Sequence, residues 1–386
     1  MNKFMQNYQL VITPLSPIHL GTGDDFLPTN YVIDNGLLYE FDPASAKLSG
    51  DEKRKLTTIC NGSDIQKIYN FFKENKKIFK ECAYHKVGIS NLYNNKEIAR
   101  CAYHPFDHLP IIPATAFKGC VRTAVLNHLQ LKSGKKYSDN KRMQEELLGS
   151  FAKDMFSQFK PSDLEVADKS ICSYICKVNK HYKGNGSVKE KISNYVETIA
   201  PAQYRAFSGS LNIYSEKNIG KKLPDIKAMV EMLNNYHIAI LNKENKLLKE
   251  KDIVNEDWRI NTTQLLKSLQ EEGKFSNGEM ALIRLGKFCG AASKTIPQVA
   301  KIKVHGKFEE ETTMLSLTED KLPMGWALLE INPSAENTAL KTWCENNNHI
   351  VQKIRQAIKV AEEQAEAERL AQEQAAEAER LAQEQA

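Results

Sequence analysis

An α+β fold is predicted for this chain on three observations. Strand-like and helix-like segments interleave along it, the turn pair Asn35-Gly36 joins two short apolar runs in the strongest short hairpin pattern known, and Pro110 to Thr115 opens a segment of helical period. No run approaches the roughly 20 apolar residues that a membrane helix needs.

Taken in order, Tyr8-Gln9-Leu10-Val11-Ile12-Thr13 reads as a strand. Tyr31-Val32-Ile33-Asp34 and Leu37-Leu38-Tyr39-Glu40-Phe41 form the hairpin around Asn35-Gly36. Asp42-Pro43 supplies an N-cap and a first helical residue, starting a Lys-rich helical stretch that runs in pieces to about Lys80. A second helix follows Pro113, with Thr115 expected as its N-cap and Phe117, Val121, Ala124 and His128 on one side; Lys118 and Arg122 lie four apart on another. The segment from Lys177 to Gly186 lacks periodicity and is expected to be a mobile basic loop. Strand character resumes at Gln203–Ile213, Glu279–Leu285 and Gly325–Ile331, the last closed by Asn332-Pro333. At the end, an eleven-residue unit fills 365–375 and recurs unchanged at 376–386. Eleven residues make about three helical turns, so Leu370 and Leu381 share one stripe on a helix that is either solvated or a partner-binding coiled coil.

The 386 residues exceed one average domain, and 41% hydrophobic with 26% charged content is ordinary for a soluble protein. Residues 361–386 hold eight Glu and two Arg, a net of −6, which leaves +11 on residues 1–360. A body that basic attracts polyanions such as RNA, although Lys usage for solubility gives the same count. The N-terminus lacks an apolar export segment, which places the chain in the cytoplasm, and eight scattered cysteines without a C-x-x-C pair read as reduced thiols.

Three segments are candidate polyanion contacts. Leu20-Gly21-Thr22-Gly23-Asp24-Asp25 has two glycines that let a ligand approach the backbone, yet a tight turn explains them equally and the aspartates repel phosphate. Thr115, Lys118, Gly119 and Arg122 combine a helix start, two cations and a small residue, a pattern suited to phosphate and also to a solvated face. Arg284, Gly286, Lys287, Gly290 and Lys294 place three cations on a glycine-containing loop; a Walker A loop is excluded, because Lys does not follow the last glycine. Cys-Ala-Tyr-His occurs at 82–85 and at 101–104, so Cys82, His85, Cys101 and His104 offer four zinc-type ligands, but without finger spacing, and no metal or cofactor is assigned. H-E-x-x-H and G-x-S-x-G are missing. His19 is the one candidate base for metal-independent RNA cleavage, since imidazole titrates near neutrality; it serves equally as a residue closing a strand end.

Four segments, in this order, resemble the RAMP superfamily, and within it the subunit type beside the guide's 3′ end in type III-A CRISPR (Csm) complexes. Leu15-Ser16-Pro17-Ile18-His19-Leu20-Gly21-Thr22-Gly23 is similar to the opening motif. Ile112 to Ala124 is similar to the I-P-G-S-S-x-K-G-x-x-R-T-A signature, with Ala114 and Thr115 in place of Gly-Ser. Asp163 to Asp168 is similar to L-x-V-S-D, and Arg284 to Thr295 with Met324-Gly325-Trp326 to the C-terminal glycine loop and G-W strand.

The resemblance implies two ferredoxin-like, RRM-related modules, at 1–140 with a helical insertion near 44–105 and at 141–345, followed by a helical tail at 346–386. It implies a non-catalytic subunit that contacts the crRNA 3′ region by shape and charge, with crRNA, target RNA, the neighbouring Csm backbone subunit and other effector subunits as partners, and no membrane. The RNA-contacting residues expected are His19, Gly21, Gly23, Thr115, Lys118, Gly119, Arg122, Arg284, Gly286, Lys287, Gly290 and Lys294, none of them catalytic. The competing expectations are a RAMP-type endoribonuclease using His19 and another RAMP backbone subunit; the backbone subunit's cleaving Asp follows its first glycine motif, where Asp24 and Asp25 stand here in different surroundings.

Overall fold

The computed structural model describes the chain apart from residues 1–3, 92, 94, 138, 183–187, 216–220, 251, 291–292, 294–295, 297–301, 305–306, 310–313 and 385–386, and apart from the side chains of 181–182, 188–192, 302–304, 307–309, 314, 379 and 384. The elements run β1 (Met5–Pro14), β2 (Gly21–Phe26), the hairpin β3 (Tyr31–Asp34) and β4 (Leu37–Glu40), then helices α1 (Gly50–Asn61), α2 (Ile65–Glu74) and α3 (Lys76–Glu81). Next come β5 (His85–Ile89), β6 (Ile98–Cys101), α4 (Ala114–Ser133), α5 (Asn140–Leu148), β7 (Phe159–Pro161), β8 (Glu165–Val166), β9 (Ser173–Tyr182), β10 (Val188–Ile199) and β11 (Phe207–Tyr214). The chain continues through α6 (Ile226–Glu250), α7 (Glu256–Glu271), β12 (Met280–Arg284), β13 (Ile302–Val304), β14 (Lys307–Glu309), β15 (Met314–Thr318), β16 (Trp326–Ile331), α8 (Thr338–Asn347) and α9 (His349–Glu384).

Packing divides the chain into residues 1–25 with 98–348, and residues 26–97 with 349–386. In the first unit a sheet runs in the order β12-β16-β1-β11-β7. Its last four strands, read with the crossovers through α4 and α6, trace the antiparallel βαββαβ arrangement of a ferredoxin-like module, and β12 extends it at one edge. The period-2 pattern of β1 explains how it seats: Leu10 and Ile12 join Phe117, Val121 and Ala124 of α4 and Met229, Val230 and Leu233 of α6 in one core. Val11 and Thr13, on the other face, are buried as well. Asn234 of α6 reaches the edge strand, its side chain donating to the Met280 carbonyl (3.0 Å) and accepting from the Leu282 amide (2.8 Å). The same unit holds the strands β2-β6-β10-β9, with β15 also pairing β9. The fold is thus α+β with ferredoxin-like character, and strands from both sides of residue 140 share one sheet.

One expectation is overturned. Of the segment Lys177 to Gly186, expected as loop, Lys177 to Tyr182 belongs to β9 and pairs with β10 and β15, while 183–186 lie outside the described residues. A polar strand without apolar alternation leaves no period in the sequence; its partners' backbone groups, absent from any local window, hold it extended.

The second unit is built on the predicted hairpin and insertion. Ser49 and Glu52 form a reciprocal capping box at α1, and Asp64 caps α2. Phe41, Phe72 and Phe79 pack ring to ring, with centroids 4.6–5.2 Å apart, beneath Val32, Leu37 and Tyr39. Asp34 accepts from Lys76 (2.6 Å) and Lys80 (2.7 Å), tying α3 to the hairpin. The first part of α9 is core, not solvated tail: Ile354 lies on Gly88, Ala361 is buried, and Lys353 donates to the Ser90 carbonyl at 2.9 Å. The repeat beyond it is exposed, Leu370 at 46% and Leu381 at 45%.

Glu330 on β16 is buried and bidentate to Arg205 (2.8 and 3.0 Å), whose second link is the Ala335 carbonyl. Arg205→Met removes the bidentate partner of that buried carboxylate, and the expected loss is about 3 kcal/mol of stability, read as a lowered urea midpoint at unchanged m-value.

Candidate nucleic-acid interface

The chain's two ends meet where β1 stops. Leu15 and Ser16 donate their amides to the Trp326 carbonyl (2.8 and 3.0 Å), and Gly325 donates to Pro17 (2.8 Å) while accepting from Leu285 (2.8 Å). Lys287 then donates to the His19 carbonyl at 2.8 Å. Such closeness needs glycine. Gly286 has φ +89°, and a Cβ there would stand 2.3 Å from the His19 carbonyl oxygen; Gly325 has φ +91°, and its Cβ would stand 2.4 Å from that of Leu285. The first and the last of the four segments singled out by resemblance therefore form one interlocked junction, with Lys287 exposed on its surface above the Phe288 ring (5.4 Å). Gly21 and Gly23 are not in a turn: they lie on β2, an exposed strand at the edge of its sheet. Gly290 follows Cys289 at the end of the described part of the loop, and Lys294 lies outside the described residues.

His19 faces the protein. Its Nδ1–H donates to the Glu197 carbonyl (2.7 Å), which leaves Nε2 as the lone-pair nitrogen, buried, without a hydrogen-bond partner among the described residues, and only 3.0 Å from where a Gly21 Cβ would be. Burial depresses its pKa, the bond to Glu197 opposes this, and Lys287 lowers it further, so the ring is neutral near pH 7.

Arg284, expected at the RNA, is instead core. Its side chain is 3% exposed, pairs with Glu244 of α6 (2.7 Å), donates to the Met324 carbonyl (3.0 Å) and lies over the Trp326 ring at 4.5 Å. Trp326 Nε1 donates to the other Glu244 oxygen at 2.8 Å. Beside them the Cys120 thiol of α4 meets His237 Nε2 at 3.3 Å. Burial and then Arg284 push His237 down to about 3, while burial pushes Cys120 up to about 12, so a neutral thiol and a neutral imidazole share this hydrogen bond. The sequence did not show this because Arg284 closes an all-buried strand and its partner sits on α6, a helix that the sequence reading did not identify.

The start of α4 also differs. Its N-cap is Pro113, without a side-chain cap, and Thr115 is an exposed residue one position inside the helix. The Ala114 amide donates to Asp163 Oδ1 at 2.6 Å, so a carboxylate from the third resembling segment stands where phosphate was anticipated; paired main-chain bonds between Ile112 and Leu164 bring it there. Lys118 donates to the Phe159 carbonyl (3.0 Å), and its pKa is lowered by burial, then by Lys160 and Arg122 against the pull of Asp154. Arg122 pairs with Asp154 (2.7 Å) over the Phe156 ring. Lys118, Arg122 and exposed Lys160 thus make a cationic patch beside exposed Gly119; Lys160, a lone Lys on a three-residue strand, gave no sequence signal.

Among the described residues no three His, Cys, Asp or Glu groups converge on a metal position. Cys101 is buried, accepts from the Leu20 amide (3.4 Å), and has its thiol pushed up to about 12 by burial and Glu197; His104 faces Asp107, His85 stacks on Phe26, and Cys82 contacts the Phe79 carbonyl.

The site is thus a ferredoxin-like sheet whose N-terminal glycine segment is locked to the glycine loop at Leu285–Cys289, with Lys287 exposed on that loop. The RAMP superfamily model matches residues 11–275, and the chain belongs to that superfamily. Among solved structures, a chain of the Csm–crRNA–target RNA ternary complex of a type III-A CRISPR–Cas system is similar at 15% identity and TM-score 0.51, over 84% of this chain and all of that one. Csm5 of T. onnurineus is similar at 17% identity and TM-score 0.53, over 83% of this chain and 99% of that one. No curated protein is significantly similar.

Two outcomes test this geometry. Gly286→Ala should cost more than about 2 kcal/mol, since the left-handed backbone alone costs roughly 1–2 and the His19 carbonyl must also move; thermal unfolding reads it. Because His237 titrates near 6.5 when unfolded and at about 3 when folded, the unfolded chain takes up the proton first. Stability should therefore fall as pH drops below about 6.5, and His237→Gln should flatten that dependence in urea titrations from pH 7 to pH 4.

Proposed function

We propose that the chain is a non-catalytic RNA-binding subunit of a type III-A CRISPR effector complex of the Csm kind, contacting the 3′ region of the crRNA and capping the backbone filament. The observation that carries the reading is the interlocked junction: residues 15–20, 284–289 and 324–326 resemble the family segments and are bonded to one another in a RAMP fold. Likeness to a chain of a Csm–crRNA–target RNA complex and to Csm5 supports crRNA, target RNA and other Csm subunits as partners. No described helix is long and apolar enough to cross a membrane.

The contact set follows from placement. Lys287, Lys118, Arg122 and Lys160 supply charge, Thr115 and Gly119 the approach on α4, and Gly21 and Gly23 an open main chain on β2. His19, Gly286 and Arg284 act beneath the surface, holding the loop that presents Lys287. Gly119 has open space around its Cβ position, so packing does not require glycine there and close approach of a ribose-phosphate strand does. A covered, neutral His19 whose Nε2 abuts β2 supports binding without cleavage, because a general base must reach the proton it abstracts.

Single-stranded oligoribonucleotide retention should fall with salt, and Lys118→Ala and Lys287→Ala should each reduce the log–log slope by about 0.7; unchanged slopes would remove both from the interface. Gly119→Ala should raise the melting temperature, by up to about 1 kcal/mol of helix propensity, yet weaken RNA retention. Labelled guide precursor incubated with the protein in EDTA should stay intact; cyclic-phosphate ends lost in His19→Ala would establish cleavage instead. Native mass spectrometry of the co-purified assembly should count one copy per complex, and several copies would indicate a backbone subunit.

A further inference from the structure

Between β6 and α4 the chain makes a small closed turn, held more firmly than its exposure suggests. Tyr103 bridges to Pro110, the His104 amide donates to the Leu109 carbonyl (2.8 Å), and the Ile111 amide donates to Ala102 (2.9 Å). The Leu109 amide is further bound by the Asp107 carboxylate (3.1 Å). Below the tip, the Arg100 guanidinium lies 4.1 Å from the Tyr103 ring centre, and Tyr103 stacks on His108 at 5.4 Å and 21°. Thus anchored, the tip carries Phe106, 89% exposed, with the His104 ring 5.5 Å away.

A single exposed aromatic means little on its own. Here the turn also walls a cavity of about 300 Å³, which Ile111, Val166 and Ala167 make apolar and which Asp107, Glu165 and Asp168 edge with carboxylates beside a single Lys169. An aromatic face beside an apolar slot fits a flat heteroaromatic ring, and carboxylate acceptors fit the exocyclic amino group of such a ring. Phosphate is a poor occupant of a rim where three carboxylates outnumber one lysine. The turn leads directly through Pro113 into α4, which carries Thr115 and Lys118.

We propose that the turn at residues 103–110 is a nucleobase site: one unstacked adenine or cytosine of a bound single-stranded RNA lies on Phe106 and His104 and points its amino group toward Asp107 and Glu165. The proposal rests on the RNA-binding reading above. It gives this chain a base preference that shape-and-charge contact alone lacks.

The test measures binding of the full-length protein to a 15-nucleotide oligoadenylate and to an abasic oligoribonucleotide of equal length, across a salt series. Phe106→Ala and, independently, Ala167→Trp, which fills the cavity from an exposed position, should each weaken oligoadenylate binding about tenfold. The salt slope, the melting temperature and binding of the abasic strand should stay unchanged. Should both variants bind oligoadenylate like the parent protein, or lose as much on the abasic strand, the base site is refuted while salt-dependent retention keeps the RNA-binding reading. Should the parent protein retain neither strand, the RNA-binding reading itself falls, and the base site with it.

Discussion

The carbonyl oxygen of His19 is the point on which the surface architecture depends. It leaves the end of the N-terminal glycine segment and accepts the Lys287 amide across 268 residues of chain, in a space that only glycine at 286 leaves open. One face of His19 therefore positions a C-terminal cation while its ring, bonded to Glu197, is fixed in the interior. Behind this bond a layer of buried polar groups keeps the same loop in register: Arg284 with Glu244, Glu244 with Trp326, and Cys120 with His237. The guanidinium is fully committed, so the charge offered to a polyanion comes from residues one shell further out.

This arrangement separates two uses of positive charge. Arg284 has its hydrogen bonds satisfied in the core, where a lone cation would be costly. Lys118, Lys160 and Arg122 are only partly compensated by Asp154, and the Lys118 pKa is lowered first by burial and then by its cationic neighbours. A bound anion would offset the positive charge that these side chains share. The Asp163 carboxylate on the first amide of α4 shows the converse: the helix start has an internal anion, so affinity there rests on side chains and not on the macrodipole.

Local pattern revealed much of the frame. The Asn35-Gly36 hairpin, β1, the closing strand β16, the capped insertion helices and α4 all carry period or turn chemistry within a few residues, and the structure places them where those signals put them. What escaped was set by distant partners. β9 and β10 are too polar to alternate visibly, α6 and α7 drew no motif, and the N-cap expected at Thr115 fell to Pro113 because Asp163 caps from outside the helix. The site divides in the same way. Residue order found the segments that meet, but the identity of the exposed cation among Arg284, Lys287 and Lys118 depended on which side chain a helix 40 residues away had already claimed.

The terminal helix has a consequence of its own. Its first part, as far as Ala361, is packed into the hairpin unit, whereas the duplicated eleven-residue block is exposed, with Glu368 paired to Lys77 at the surface (3.6 Å). Each block advances the axis by about 16 Å and returns the azimuth to within about 20° of its start. Gain or loss of a copy would therefore change the reach of the arm while scarcely rotating the face that carries Leu370 and Leu381, and would leave every core contact untouched. Evolution can lengthen such an arm by slippage in steps of whole repeats, without having to redesign the body that carries it.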